Sequence, residues 1–474
     1  MATALGQLSR GLSVTNPWWR STAWRKSDPD LTRADGSALS YESPCLDGIR
    51  PGGLYLLRGP RRVGKTVASK QAIDRLLTQG TPPACVVRVA ADGWAAKDLR
   101  TVVQNASLPP IPEGHHRWWF IDEVTAVTGD WSTQVKYLRD NDAEFNAAAV
   151  ILTGSSSEQL TAASGVLAGR RGNISDGDRT LLPMGFATFA RLFDSTIPPL
   201  RLPLGSLHQP TAASTYANLT PWLDSLVRLW EMYLLFGGFP ASVVAARRGD
   251  GAPPDWFVQD VFNVVFKDAF ASSRLSETQT ISILERLAVG MASPLNMSSI
   301  ASALGLTEPT VARHVSYLDD AYLGWHCPQR AEGSWTPRKR AQGKWYSIDP
   351  LVARLAHLSN SQRSDVDLTV LAEMQIGVAI RRRALLEGRG WNSDAHLFFA
   401  RTSTRKEIDF VAEDLAGVAV EGKYTDGGGW VGEAATVNAS QWDGILATRT
   451  TLDTRAVDTA WAVPAAFIAY LIDS

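Results

Sequence analysis

Leu54-Tyr-Leu-Leu57, then Gly59-Pro60-Arg61-Arg62-Val63-Gly64-Lys65-Thr66, then Val67 to Leu77: this run decides how the chain is read. Its first part is a short apolar strand, its middle matches G-x-x-x-x-G-K-[ST] at every position, and its last part has helical spacing that ends near Gly80. Strand, glycine loop and helix are the context in which backbone N–H groups and a helix N-terminus turn toward phosphate oxygens. Lys65 is expected to reach the β- and γ-phosphates of ATP, and the Thr66 hydroxyl to ligate Mg2+.

Downstream, Trp118-Trp-Phe-Ile121 is an apolar strand that runs into Asp122 and Glu123. At the C-terminal end of such a strand Asp122 would hold hydrated Mg2+ and Glu123 would polarise the attacking water, the function that separates a hydrolase from a nucleotide binder. Two surface acids after a core strand are the plainer alternative. Cys85 to Val89 and Ala148 to Leu152 are further buried-strand candidates, so the region is expected to be a parallel α/β sheet. The last of these strands runs into Thr153-Gly-Ser-Ser-Ser157, where the Thr153 hydroxyl either orients water or belongs to a helix cap. Arg170 and Arg171 offer guanidinium groups to γ-phosphate charge, in cis or from a neighbouring subunit, or else sit in a solvated loop.

At 474 residues the chain is long enough for several cores, so one motif will not account for all of it. Hydrophobic residues at 45% and charged residues at 20% exclude extensive disorder. A net charge of −1 excludes a uniformly basic nucleic-acid coat and leaves only local basic patches. Cys45, Cys85 and Cys327 are far apart, which indicates neither a disulfide framework nor a zinc site and fits a reducing cytoplasm. No signal peptide or membrane span is read, and the expected setting is cytoplasmic.

Asn16-Pro-Trp-Trp, the phosphate loop, Phe120-Ile-Asp-Glu123, Leu152-Thr-Gly-Ser-Ser156, Gly169-Arg170, Leu182-Pro-Met-Gly-Phe186, Phe236-Gly-Gly-Phe-Pro240 and Lys267-Asp268 together resemble bacterial and archaeal AAA-type ATPases that carry a C-terminal domain of unknown function. The resemblance covers nearly the whole chain. It implies an additional-strand P-loop core, a helical connector, a winged helix and a restriction-endonuclease-like C-terminal fold, and it implies no substrate. Members of that family often have Ser where Gly185 stands, a departure without consequence for catalysis. The expected organisation is therefore an N-terminal arm (1–50), a parallel-sheet P-loop core (51–180), a helical lid or connector (181–290), a winged helix-turn-helix (291–350) and a mixed α/β nuclease-like domain (351–474). Self-association is expected.

In the fourth segment, Met297 to Leu304 is a short helix ending at Gly305, and Thr307 can cap a second helix with Pro309 in its first turn. Val311, Val315, Leu318 and Tyr322 make the apolar stripe, which leaves Thr310, Arg313, His314 and Tyr317 outward for a DNA major groove. Arg330, Arg338, Lys339, Arg340 and Lys344 would form a basic wing on phosphates. The alternative is a module that packs on the ATPase or pairs subunits, its charges merely solvated.

Toward the C-terminus a long amphipathic helix is expected, followed by strands of alternating residues. Lys406-Glu-Ile-Asp409 and Val418-Ala-Val-Glu421-Gly-Lys423 have period two, which puts Glu421 and Lys423 on one face with Asp409 able to lie beside them. Asp409, Glu421 and Lys423 fit the D…E-x-K arrangement of PD-(D/E)XK nucleases, in which the carboxylates hold Mg2+ and the lysine orients water against a phosphodiester. Glu373 resembles the accessory acid of that fold. The pattern departs at Ile408, where a proline is usual, and at Gly422, which packs poorly in a strand. A degenerate fold used only for binding is the alternative.

Overall fold

Fully buried aliphatic and aromatic runs of about five residues, bounded by loops and helices, build parallel sheets because both faces are covered. Such runs form β1 (Leu54–Arg58), β2 (Val86–Ala90), β3 (Trp118–Asp122) and β4 (Ala149–Thr153), and β5 (Asp178–Thr180) joins them as a short strand without apolar character. The computed structural model describes residues 11–37, 39, 41–154, 157–273, 276–387, 396–402, 405–427, 429–438, 440–457 and 460–473. Its first compact unit ends at Leu182 and its second begins at Pro183.

In the first unit all the strands run parallel, in the order β2-β3-β4-β1-β5. β4 therefore lies between β1 and β3, the additional-strand arrangement. Its core joins Leu54, Leu56, Trp119, Ile121, Val150 and Leu152 from the sheet to Leu99, Val135 and Leu138 from the flanking helices. The segment Asn16 to Trp19 lies along the β2 edge, while Arg25, Asp28 and Asp30 pair with Asp74 and Lys70 of the helix Lys65–Thr78. Asn16 accepts from the Arg88 backbone N–H at 2.5 Å and donates to its carbonyl at 2.8 Å, while the Trp18 and Trp19 indoles both donate to Val86. The arm thus satisfies backbone groups that an edge strand would leave unpaired.

The second unit opens with helices. Phe186–Phe193, Leu223–Phe236, Pro240–Arg248 and Asp255–Ser273 are among them, and the side chains of Lys267 and Asp268 lie outside the described ones. A Cβ at Gly185 would fall on the buried Arg382–Asp473 ion pair, which gives this glycine a packing reason. Helices Met297–Leu304 and Glu308–Asp320 follow, joined through Gly305 at φ +64°. Thr307 stands at the second helix's start, but its hydroxyl bonds the Thr310 hydroxyl at 2.8 Å instead of a backbone N–H. An antiparallel hairpin of β6 (Gly324–Cys327) and β7 (Lys344–Ser347) comes next.

The remaining strands are β8 (Phe398–Arg401), β9 (Glu407–Val411), β10 (Val418–Gly422), β11 (Asp443–Thr448), β12 (Asp453–Val457) and β13 (Ala460–Pro464). They form one mixed sheet in the order β12-β13-β11-β10-β9-β8, with β10, β11 and β13 parallel and the others antiparallel to their neighbours. The helix Leu368–Leu386 is not amphipathic as expected. It is buried nearly all round, polar Glu373, Gln375, Arg381 and Arg382 included. A Cβ at its Gly377 would meet the Phe410 ring at 2.8 Å, so the glycine lets helix and sheet approach closely.

Candidate nucleotide site and the C-terminal acidic cluster

The loop from Gly59 to Gly64 leaves the C-terminal end of β1 and enters the helix Lys65–Thr78. Gly59 at φ +138° and Gly64 at φ +101° take backbone conformations that L side chains rarely adopt, and a Cβ on Gly59 would run into the Leu181 carbonyl. Pro60 and Val63 are buried, while Arg61 and Arg62 face outward, Arg62 at φ +68°. Lys65 is buried, and its ammonium donates to the carbonyls of Gly59 at 2.8 Å and Pro60 at 2.9 Å. Burial lowers its pKa to about 8, opposed by the charges of Glu123 and Asp122 and reinforced by Arg61. A buried ammonium held by neutral carbonyls suits an anionic ligand, and the loop therefore fits a nucleotide's phosphates.

β4 brings Thr153 alongside Asp122. The Thr153 hydroxyl donates to Asp122 Oδ1 through a short bond and accepts from the Glu123 backbone N–H at 3.2 Å. Asp122 Oδ2 receives Arg88 at 2.7 Å, so the carboxylate is held on both sides at the end of β3. Glu123 sits at φ +54° at the turn out of the strand and is half-buried, its side chain set apart from Asp122's pairing. Arg88 was not anticipated. The signal was present as a lone charge inside an apolar strand, a residue type rarely buried without a partner.

The backbone of Arg171 lies at the N-terminal end of β1, opposite the end from which the phosphate loop leaves, and Arg170 precedes it. Arg171 accepts from the backbone N–H of Leu54 at the start of β1, and Arg139 joins the carbonyls of Arg170 and Gly52. The Arg170 guanidinium is paired with Asp140 at 3.0 Å. The Arg171 guanidinium is paired with Asp178 at 3.3 Å, so both arginines have acidic partners within this chain.

The model for the AAA domain family (AAA_14) matches residues 52–190, and that for a domain of unknown function (DUF8612) matches residues 227–363. The N-terminal unit carries a P-loop core of AAA type. Comparison with curated proteins finds no match. Among solved structures the chain resembles the ORC2 protein of Aeropyrum pernix in its ADPNP–ADP complexes, at 12% identity and TM-score 0.32, covering 63% of this chain and 88% of that one. A RuvB variant of Thermotoga maritima is similar at 13% identity and TM-score 0.26, covering 66% and 94%. The DNA clamp loader delta protein of Bacillus subtilis is similar at 12% identity and TM-score 0.23, covering 58% and 86%. Likenesses this distant carry no functional argument.

In the second unit the expected DNA face is partly rearranged. Arg313 is exposed, as are Arg338, Lys339 and Arg340. His314, expected outward, is wholly buried beside Val311, Val315 and Leu318, and neither ring nitrogen has a hydrogen-bond partner. Burial lowers its pKa to about 4. The spacing already carried this: three residues after Val311 and four before Leu318 is the same helical face. Arg330 is half-buried, its guanidinium over Trp335 at 4.4 Å and Trp442 at 5.4 Å. Lys344, expected on the wing, has no solvent exposure.

Asp409, Glu421, Lys423 and Glu373 do come together. Glu421 Oε2 accepts from the Asp409 backbone N–H at 3.1 Å, Asp409 Oδ2 accepts from the Gly422 N–H at 2.9 Å, and Lys423 lies 3.2 Å from Glu421 Oε1. Gly422 is accounted for here, because a Cβ would press on Glu373 Cβ at 3.1 Å. Burial and the charge of Asp409 raise the pKa values of both Glu373 and Glu421. The sequence reading lacked the other half of the cluster. Lys344 Nζ lies 2.8 Å from Glu407, 3.0 Å from Asp409 and 3.3 Å from Glu373, and the Tyr346 hydroxyl donates to Glu373 at 2.5 Å. Burial opposes the charge on Lys344, but Asp409, Glu373 and Glu407 outweigh it and raise its pKa. Among the described residues no group of three or more His, Cys, Asp or Glu is arranged to hold a metal ion. Asp409 and Glu421 do not fit Mg2+ as this cluster stands.

Proposed function

We propose that this protein hydrolyses ATP in its N-terminal unit and engages DNA through its helix-turn-helix and hairpin. The observation that carries the first part is the juxtaposition of Lys65, buried without a carboxylate partner, and Asp122, held in place by Thr153 and Arg88. Lys65 would bind the β- and γ-phosphates, Thr66 and Asp122 would hold Mg2+, and Glu123 would orient the attacking water. Bound ATP with Mg2+ supplies the phosphoanhydride and neutralises part of its charge. Thr153 acts as a positioning residue, fixing Asp122 and, through the Glu123 N–H, the turn that aims Glu123. We assign Arg170 to γ-phosphate contact only across a subunit boundary in a self-associated form.

The DNA reading rests on exposed Arg313 in the second helix and on exposed Arg338, Lys339 and Arg340 in the hairpin, a basic set in a chain of nearly zero net charge. Wings of this kind place phosphate-binding residues beside a groove-reading helix, and on that geometry we identify the module as a winged helix. The test is ATP turnover with and without duplex DNA. Stimulation by DNA is expected, and it should weaken in Arg313→Ala. Turnover indifferent to DNA would favour a second reading, an ATP-dependent switch acting on assembly or on a protein partner. That reading also draws on the C-terminal cluster, whose lack of fit to Mg2+ points to a nuclease-like fold that does not cut. No membrane partner is proposed: among the described residues no helix is long and apolar enough to cross a bilayer.

A further inference from the structure

Lys344 begins β7, in the hairpin that follows the helix-turn-helix, yet its ammonium ends among carboxylates of the six-stranded sheet and the helix behind it. An ammonium has three N–H donors. Three carboxylates, from Glu407, Asp409 and Glu373, surround this one between 2.8 and 3.3 Å, and the side chain has no solvent exposure. The distances are those of charge-assisted hydrogen bonds. A magnesium ion bound to the same oxygens would need contacts near 2.1 Å in octahedral array and would sit against a fixed positive charge.

Three further oxygens of the cluster are also engaged. Asp409 Oδ2 takes the Gly422 N–H, Glu421 Oε2 takes the Asp409 N–H, and Glu421 Oε1 takes Lys423. The hairpin carrying Lys344 is stitched to the sheet by backbone bonds: Phe399 N–H donates to Pro328 at 3.1 Å and Arg330 N–H to Phe399 at 2.8 Å. Cys327 Sγ adds a contact to the Leu397 carbonyl. A side chain on so fixed a strand is a permanent occupant of the cluster, unlike one on a mobile lid.

We propose that Lys344 is the resident cation of the D…E-x-K cluster: it occupies Asp409, one of the two carboxylates a nuclease would place on its metal, keeps the site free of divalent ions, and locks the helix-turn-helix hairpin onto the C-terminal sheet. Two positive demands on the same carboxylates exclude each other, and the covalently attached one prevails because its effective concentration is fixed by the fold. The proposal is independent of the ATPase reading, since nucleotide takes no part in it.

The test uses the full-length chain without nucleotide and Mn2+ as probe. Calorimetric titration of the wild type and of Asp409→Asn is expected to give the same isotherm, because any Mn2+ taken up elsewhere is common to both. A site present in the wild type and lost in Asp409→Asn overturns the proposal. Lys344→Met is expected to lower the melting temperature, and Mn2+ should then raise it by about 3 °C or more, as mass action predicts for a ligand of the native state alone. That rise should vanish in the Lys344→Met, Asp409→Asn double variant. A Lys344→Met protein as stable as the wild type and blind to Mn2+ also overturns the proposal. If Lys344→Met does not fold, the lock is upheld and the wild-type comparison decides the metal.

Discussion

Lys65 and Lys344 are both buried near acidic residues, and they are used in opposite ways. Lys65 donates, among the described residues, to the carbonyls of Gly59 and Pro60, and burial depresses its pKa to about 8. Lys344 is surrounded by Glu373, Glu407 and Asp409, and its pKa is raised. The first ammonium is held by neutral carbonyls, which suits the anionic ligand proposed for it. The second is already neutralised from within and has nothing left to offer a metal. What separates a binding site from a structural ion cluster is therefore the balance of charge around the lysine, because desolvation penalises any uncompensated ion and a ligand is one way to compensate it.

The comparison breaks most visibly in turnover. Lys65→Ala is expected to lower ATP hydrolysis by roughly a hundredfold to a thousandfold, the usual loss when one preorganised donor to developing charge is removed. Glu123→Gln should lose a similar factor of about 10^2 to 10^4 while retaining nucleotide, so that steady-state phosphate release and nucleotide retention on a filter report the two steps separately. Unchanged turnover in both variants would remove the hydrolase assignment.

Next in size is the stability of the second unit. Removing Lys344 leaves buried Glu373 and Asp409 and half-buried Glu407 without their shared cation, and breaking a buried ion cluster typically costs about 3–5 kcal/mol. Denaturant unfolding of Lys344→Ala should show that loss, whereas Lys65→Ala should cost far less, its partners being neutral carbonyls.

A buried histidine sharpens the contrast, since among the described residues His314 has no hydrogen-bond partner of either kind. Its folded pKa of about 4 lies below the ordinary 6.5, so on acidification the unfolded chain takes up the proton first. Its contribution to stability is whole above pH 6.5 and is lost as pH falls toward 4, by about 3 kcal/mol in all. Urea unfolding at pH 7 and pH 5 checks this. His314→Leu should lose about 2 kcal/mol less between those values than the wild type. An equal loss in both would mean the imidazole is protonated in place.

The smallest effect concerns solvated charge. Arg338→Ala should weaken DNA binding evenly across sequences and reduce the salt slope by about 0.9, measured by fluorescence anisotropy over a range of salt. A variant that changes sequence preference instead would move Arg338 from phosphate to base contact.

The N-terminal unit was largely legible in the sequence. β1 to β4 fall within one residue of the apolar runs that announced them, since a doubly covered strand is a continuous local signal. β5 escaped because Asp178, Arg179 and Thr180 have no strand character of their own and become a strand by pairing with β1. In the second unit, Asp409, Glu421 and Lys423 could be gathered from period two, because neighbouring hairpin strands bring alternate residues together. Lys344 could not. In sequence it reads as one more base after Arg338, Lys339 and Arg340, and its partners are 29 and 65 residues away at Glu373 and Asp409.

The sequence alone determined the phosphate loop, because strand, glycine turn and helix N-terminus are contiguous and their geometry follows from local backbone preference. Which buried lysine keeps its charge available for a ligand, and which has it consumed by the protein, was decided only by tertiary structure. Charge compensation depends on distances of about 3 Å between residues remote in the chain, and no local pattern encodes those.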